Sequence, residues 1–339
     1  MEYILNEIPI KTTNSFNINN LKINLDIPKT FSNKEFIMKN IEDIEIEYSK
    51  TNSFNSNIGL ELKEASSLNI NIKNNISKPI ELVYEFNDDN LVDIININCL
   101  ENIKANIIIK YISKGNSINF HHLKQVINLK KNADLTITVI NLLNDNSISL
   151  IASESNVDKE AKLTQNLIDI GGKVKINNYK SSALEKGISY LNNIYLGKDE
   201  DTIDMNYNYV NIGKESQTNI ESQGILDDKA RKIFRGTIDF VSGCAKSVGK
   251  ENENCVLMSE DAMSRSVPIL LCGEEDVEGA HSVSSGKIDE EKLFYITSKG
   301  IKMEDAKRMI ILSNFNKIIE EIKDEDTEKE ILDVIENKI

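Results

Sequence analysis

The sequence predicts a mainly β fold: a right-handed parallel β-helix (a solenoid) with a small N-terminal cap and a C-terminal α-helical segment. Three observations predict it. Short stretches alternate apolar and polar residues with the period of two that a pleated backbone imposes. Leu68–Ile72, Ile95–Cys99 and Leu135–Val139 are examples, as are the series Ile103, Ala105, Ile107, Ile109, Tyr111 and Phe234, Gly236, Ile238, Phe240. After residue 28 only Pro79 and Pro268 interrupt the chain, so backbone donors stay available for ladders. Finally, Ala105, Ala133 and Ala161 recur every 28 residues, each followed two places later by an apolar residue. Further steps reach Ser189 and Ala245, while Gln217 breaks the pattern. A small residue returning at a fixed interval is what stacked coils produce.

The elements follow in order. Residues 1–55 hold Pro9 and Pro28 among mixed polarity and read as a cap segment. Within it, Ser32-Asn33-Lys34-Glu35 predicts a helix start and Ile44–Tyr48 a strand. Residues 56–287 form the repeat region, whose strands are parted by Asn, Asp, Gly, Ser and Lys, the residues that tolerate turns. Adjacent His121 and His122 point to opposite faces of a strand, one ring packed and the other exposed, so they cannot grip one ion together. Cys99, Cys244 and Cys255 read as inward-packing small residues.

Residues 288–339 change character. Asp289 caps a helix with Glu290 and Glu291 in its first turn, and Gly300 stops it. A second helix runs from about Met303, with Met309, Leu312, Phe315, Ile319 and Ile322 on one side. Thr327-Glu328-Lys329-Glu330 has the capping-box pattern before a third segment holding Ile331, Leu332 and Ile335. These helices either close the solenoid end or offer an apolar face to a partner.

Composition excludes several functions. The 339 residues carry 40 Lys and Arg against 54 Asp and Glu, a formal charge of −14. That balance opposes binding to nucleic acid and to an anionic membrane. No apolar run is long enough to span a bilayer, and Met1–Glu7 lacks the features of a signal peptide, so the expected location is cytoplasmic. Four cysteines without a C-x-x-C pair make neither a disulfide scaffold nor a zinc ribbon. No nucleophile elbow, phosphate loop or H-E-x-x-H pattern is present.

One stretch could carry chemistry. Between Pro268 and Ser282 lie Cys272, the carboxylates Glu274, Glu275, Asp276 and Glu278, and His281. Thiolate, imidazole and carboxylate are the groups that hold iron and iron–sulfur clusters. The plainer alternative makes Cys272 a buried small hydrophobe and the acids a solvated loop.

The same third of the chain resembles the SufB/SufD family. The resemblance runs from Phe234-Arg235-Gly236-Thr237-Ile238 through Cys255–Met258 to Pro268, Asp276-Val277 and His281. Its most specific piece is Ile288-Asp289-Glu290-Glu291-Lys292-Leu293-Phe294-Tyr295-Ile296-Thr297-Ser298-Lys299-Gly300-Ile301. Weaker similarity lies at Lys78-Pro79-Ile80 and Asn6-Glu7-Ile8-Pro9. The short N-terminal part makes the resemblance SufD-like rather than SufB-like.

The resemblance implies a non-catalytic scaffold subunit of the Suf iron–sulfur cluster assembly complex. It implies pairing with a SufB-type homologue and docking of the ABC-type ATPase SufC on the C-terminal segment, here Leu293, Phe294, Tyr295, Lys299, Gly300 and Ile301. ATP-driven closure of the ATPase would pull on that segment. A nascent, transient iron–sulfur cluster is implied at the subunit interface, with His281 as its ligand in this chain and Cys272 and Cys255 as weaker candidates. Ser282 stands where SufB-like members carry a glutamate. The SufB cysteine aligns near Glu253, two places from Cys255. Two alternatives remain open from sequence: a self-pairing, cluster-binding member of the family, and a carbohydrate-active β-helix enzyme, which needs paired carboxylates across a scissile bond.

Overall fold

The computed structural model describes residues 1–12, 17–32, 36–41 and 44–338. Strand makes up 53% of the chain, wound into a parallel β-solenoid of about 8 turns. Among the described residues each of its two long sheets has nine strands. One sheet has the C-terminal helices on its outer face, the other an N-terminal hairpin, and they are called here the helix-side and hairpin-side sheets. Each coil supplies one strand to each sheet, as Arg231–Phe240 and Ser247–Leu257 do for the hairpin-side and helix-side sheets respectively.

Parallel, in-register pairing stacks equivalent residues into columns. One inward-facing column of the helix-side sheet reads Ile107, Ile137, Gln165, Leu191, Ile220, Glu251, His281. The alanine spacing is thus a true signal of coils, with a corrected register. Ala105 pairs with Leu135, not with Ala133. Coil length also varies, from the 26 residues between Leu163 and Ser189 to the 32 between Arg231 and Met263. The small-residue column that does exist lies at the strand starts, just before four of them at Ala133, Ala161, Gly187 and Ser216 and at the first residue of the fifth, Ser247, and Ser216 Oγ lies 2.9 Å from Ser247 Oγ. The corner beside it turns through a left-handed residue in coil after coil: Asn102, Asn132, Glu160, Lys186, Glu215 and Lys246. Four of these are neither Gly nor Asn. Cross-coil bonds such as Glu160 N–H to the Glu185 carbonyl, 3.0 Å, offset that conformational cost.

The two ends differ. The N-terminal end is closed by Ile44–Thr51 and Ile37–Lys39, laid antiparallel on Ala65–Ile72 and Ile80–Phe86. Ile44–Tyr48 is therefore a strand, as its alternation predicts, and the helix start expected at Ser32–Glu35 falls mainly outside the described residues. At the C-terminal end, Met263–Cys272 and Val277–Lys287 are edge strands, paired on one side only.

Both outer faces are covered. A hairpin of Glu2–Leu5 and Leu21–Asn24, with Phe54 and Ile58, packs on Val92, Phe120, Leu150 and Ile176. It is fastened by a buried bidentate pair, Arg235 to Asp204 at 2.7 and 3.0 Å, with Asn6 donating to the same carboxylate at 2.6 Å. This cover corrects the reading of the paired histidines. They do face opposite ways, but both are fully buried. His121 bonds Asp93 inside the solenoid at 3.1 Å, and His122 meets Ser56 and Phe54 under the N-terminal segment.

The C-terminal segment holds helices α1 (Glu290–Ser298), α2 (Met303–Ile319) and α3 (Glu325–Lys338). Asp289 caps α1 by accepting from the Lys292 N–H at 3.0 Å, and Gly300 ends it at φ +90°. Helix α3 starts earlier than the Thr327 motif predicts: the Asp324 carboxylate accepts from the Thr327 N–H at 3.1 Å. Helices α2 and α3 do not close the solenoid end. Ile311, Phe315, Ile318, Ile331 and Ile335 lie along the flank of the helix-side sheet, on Ile140, Ile168, Ile194 and Ile225. Met309, expected on the packed face, is half exposed, and Ile310 and Ile311 are buried instead.

Two predictions follow from this packing. The His122 ring is held well below its usual pKa by burial, with His121 and Lys124 adding to the effect. The folded state therefore binds fewer protons than the unfolded chain below about pH 6.5, and stability falls by about 1.4 kcal/mol per pH unit as acid is added. His122→Gln should flatten that slope in denaturant titrations; parallel slopes would refute the assignment. Gly224 has the Tyr195 ring only 1.9 Å from where a Cβ would stand. Gly224→Ala should cost about 1–3 kcal/mol of stability by overpacking, read as a lowered urea midpoint.

Candidate functional site

The strand Ser247–Leu257 lies one coil below the open end, and its alternation sends Glu251, Glu253 and Cys255 inward. Glu253 is fully buried and paired with Lys232 at 2.7 Å. Tyr195 donates to the same carboxylate at 2.6 Å and Ser266 at 2.9 Å. Three coils and both sheets thus converge on one neutralised carboxylate, which is how a buried charge is tolerated. Glu251, the next inward residue, has no such partner: both its oxygens are buried and unbonded. Burial, with the Glu253 charge beside it, pushes its pKa up to about 8. Burial also raises the Cys255 thiol, against the opposing pull of Lys232.

Above this cluster lies the last coil. His281 is the ladder partner of Glu251, Val283 of Glu253, and Ser285 of Cys255. His281 is exposed, as is every residue from Glu278 to Lys287. Cys272 ends the neighbouring strand and is exposed too, against the plainer reading of it as a buried hydrophobe. Cys255 is buried as expected, with Cys99 and Cys244. The three candidate ligands are not gathered: among the described residues no group of three or more His, Cys, Asp or Glu side chains could hold a metal ion. What the chain presents is an open coil with an imidazole and a thiol, over a buried carboxylate. Sequence reading missed Lys232, Glu251 and Tyr195. An inward Cys255 and period-two alternation already imply inward Glu253 and Glu251, but residue order does not show that Lys232 and Tyr195, from other strands, meet Glu253.

The family motif near the tail divides in two. Leu293 and Ile301 pack with Ala306 and Ile310 between α1 and α2. Phe294 and Tyr295 are 75% and 63% exposed, large apolar area left in water. Lys299 lies over the Tyr295 ring at 5.3 Å, and both it and Gly300 are exposed.

Fold and site together define a parallel β-solenoid with an open terminal coil that carries an imidazole and a thiol, and a helical tail on its flank. Residues 86–314 match the family model described as SUF system FeS cluster assembly, SufBD core domain. The chain belongs to that SufB/SufD family and is SufD-like within it. It is 31% identical over 146 residues to the iron–sulfur cluster assembly protein SufD of Bacillus subtilis, covering 43% of this chain and 33% of that one. Against SufD of Escherichia coli the identity is 33% over 108 residues, 32% of this chain and 26% of the relative. A SufBD family protein of Pyrococcus horikoshii is 28% identical over 184 residues, 54% and 41% of the two lengths. The matched stretches span well under half of these relatives. No helix among the described residues is long and apolar enough to cross a membrane.

The buried pair yields a stability prediction. Lys232→Met leaves Glu253 charged and short of its cation, and should cost about 3–5 kcal/mol. The double variant Lys232→Met with Glu253→Gln should recover much of that loss in thermal denaturation. Equal losses in single and double variants would refute the pairing energetics.

Proposed function

We propose that this chain is a non-catalytic, SufD-like scaffold subunit that pairs with a SufB-type homologue through its last coil and docks a SufC-type ABC ATPase through α1. A nascent iron–sulfur cluster, its cargo, forms at the paired surface, with His281 offering a neutral imidazole nitrogen to iron. The observation that carries the reading is the edge strand Val277–Lys287: eleven residues, exposed and paired on one side. A long unprotected edge is a template for another strand, and solenoids that lack a polar cap invite association at that end. His281 lies in the middle of that strand. Exposed Cys272 ends the strand beside it and remains a weaker candidate; Cys255, buried under the coil, is weaker still.

Phe294 and Tyr295 support the ATPase contact, because exposed aromatics on a helix otherwise fixed to the molecule are typical interface anchors. Removing the whole tail would uncover the apolar flank of the helix-side sheet, so point substitutions test the contact better than truncation. Phe294→Ala with Tyr295→Ala should weaken co-purification of the ATPase by at least about tenfold without lowering the melting temperature; unchanged recovery would reject the docking site. His281→Ala should leave subunit pairing intact while reducing cluster formation on the reconstituted complex. Undiminished cluster formation would reject the ligand role. Mass in solution with and without a SufB-type homologue separates heteromeric pairing from self-pairing.

A further inference from the structure

Glu251 is a carboxylate that the fold has no use for. It is 2% exposed, and neither oxygen has a hydrogen-bond partner. Its neighbour Glu253 shows what a structural carboxylate looks like in the same strand, with a lysine, a tyrosine and a serine on it. An unpartnered buried acid costs free energy, so its position calls for a ligand absent from the folded chain itself. The carboxylate rests against Gly236 on the opposite sheet, where a Cβ would come within 2.4 Å of it. Directly above it, one strand spacing away (about 4.8 Å), stands His281 on the same inward-facing column. The last coil sets Gly279, His281 and Val283, all exposed, above Gly249, Glu251 and Glu253.

We propose that Glu251 is a second ligand, a buried carboxylate acting with the His281 imidazole on one divalent iron ion at the mouth of the solenoid. The inference rests on the reading of His281 as the iron-facing residue and adds a donor that lies 30 positions earlier in the sequence. An imidazole and a carboxylate from adjacent coils make a mixed nitrogen–oxygen pair suited to ferrous iron, with further positions left for a partner's groups or for sulfur. The stacked register fixes both donors on rigid strands.

The test uses the full chain, anaerobic ferrous iron alone as probe, and equilibrium dialysis, with thermal melting as a second readout. Wild type should bind one iron. Glu251→Gln, His281→Ala and Gly236→Ala should each weaken binding tenfold or more, the last by filling the space the carboxylate occupies. Glu251→Gln should also melt no lower than wild type, because it removes an uncompensated buried acid. A wild-type chain that takes up no iron overturns the proposal. So does a Glu251→Gln variant that binds iron as wild type while His281→Ala does not, and in that case the reading of His281 stands. Wild-type binding by His281→Ala overturns that reading and this inference together. A lowered melting temperature with unchanged iron affinity would assign Glu251 a purely structural role.

Discussion

Parallel, in-register stacking is the constraint on which the rest of this structure depends. Each coil obtains its backbone hydrogen bonds from the coils on either side, so no coil is satisfied alone. Side chains inherit the same rule. Asn71, Asn98, Asn128 and Asn156 form a ladder of amide bonds on one surface, each near 3.0–3.2 Å, because register places them one above another. The rule must fail at the two ends. At the N-terminal end antiparallel strands satisfy the edge, and at the C-terminal end no strand among the described residues does.

The interior is graded along the same axis. The column Ile109, Val139, Leu167 is apolar, then continues as Asn193, Ser222 and Glu253. Another runs Tyr111, Asn141, Asp169, Tyr195, Gly224, Cys255. Within the second column the acid is matched by partners: Asn141 and Asn177 both donate to Asp169, at 2.7 and 2.6 Å. Burial still raises the Asp169 pKa, with Lys175 opposing it. A solenoid optimised for stability alone would extend the aliphatic column to its end. This one gives up apolar burial in its last coils, and the loss is concentrated beneath the strand that carries His281.

Much of this was legible from residue order, because period-two alternation and low proline content are local consequences of a pleated backbone. The coils could be inferred, but their register could not. Corners that turn through Glu160, Lys186, Glu215 and Lys246 carry none of the glycine that usually marks left-handed backbone, and coils of unequal length blur any fixed period. Burial of His122 was invisible for a different reason: its cover comes from Ser56 and Phe54, more than sixty residues away in sequence. The family motif located the tail and His281, yet it could not divide Leu293 from Phe294. That division depends on which side of α1 meets Ala306 and Ile310.

The helical tail and the buried cluster are not independent parts of the molecule. Helix α2 sits on the outer side of the strands whose inner side carries the charged residues. Its Lys317 lies 3.9 Å from Glu221, which also accepts from Asn252 at 2.9 Å, and Asn252 stands between Glu251 and Glu253. Val256, in the same strand, belongs to the apolar layer under the helices. A load applied to α1 reaches α2 through Leu293, Ala306 and Ile310, and from there bears on the strand Ser247–Leu257. Stacked strands resist sliding because a one-residue slip would turn every inward side chain outward. Among the described residues the last coil has ladder bonds on one side only, so it carries half of that restraint.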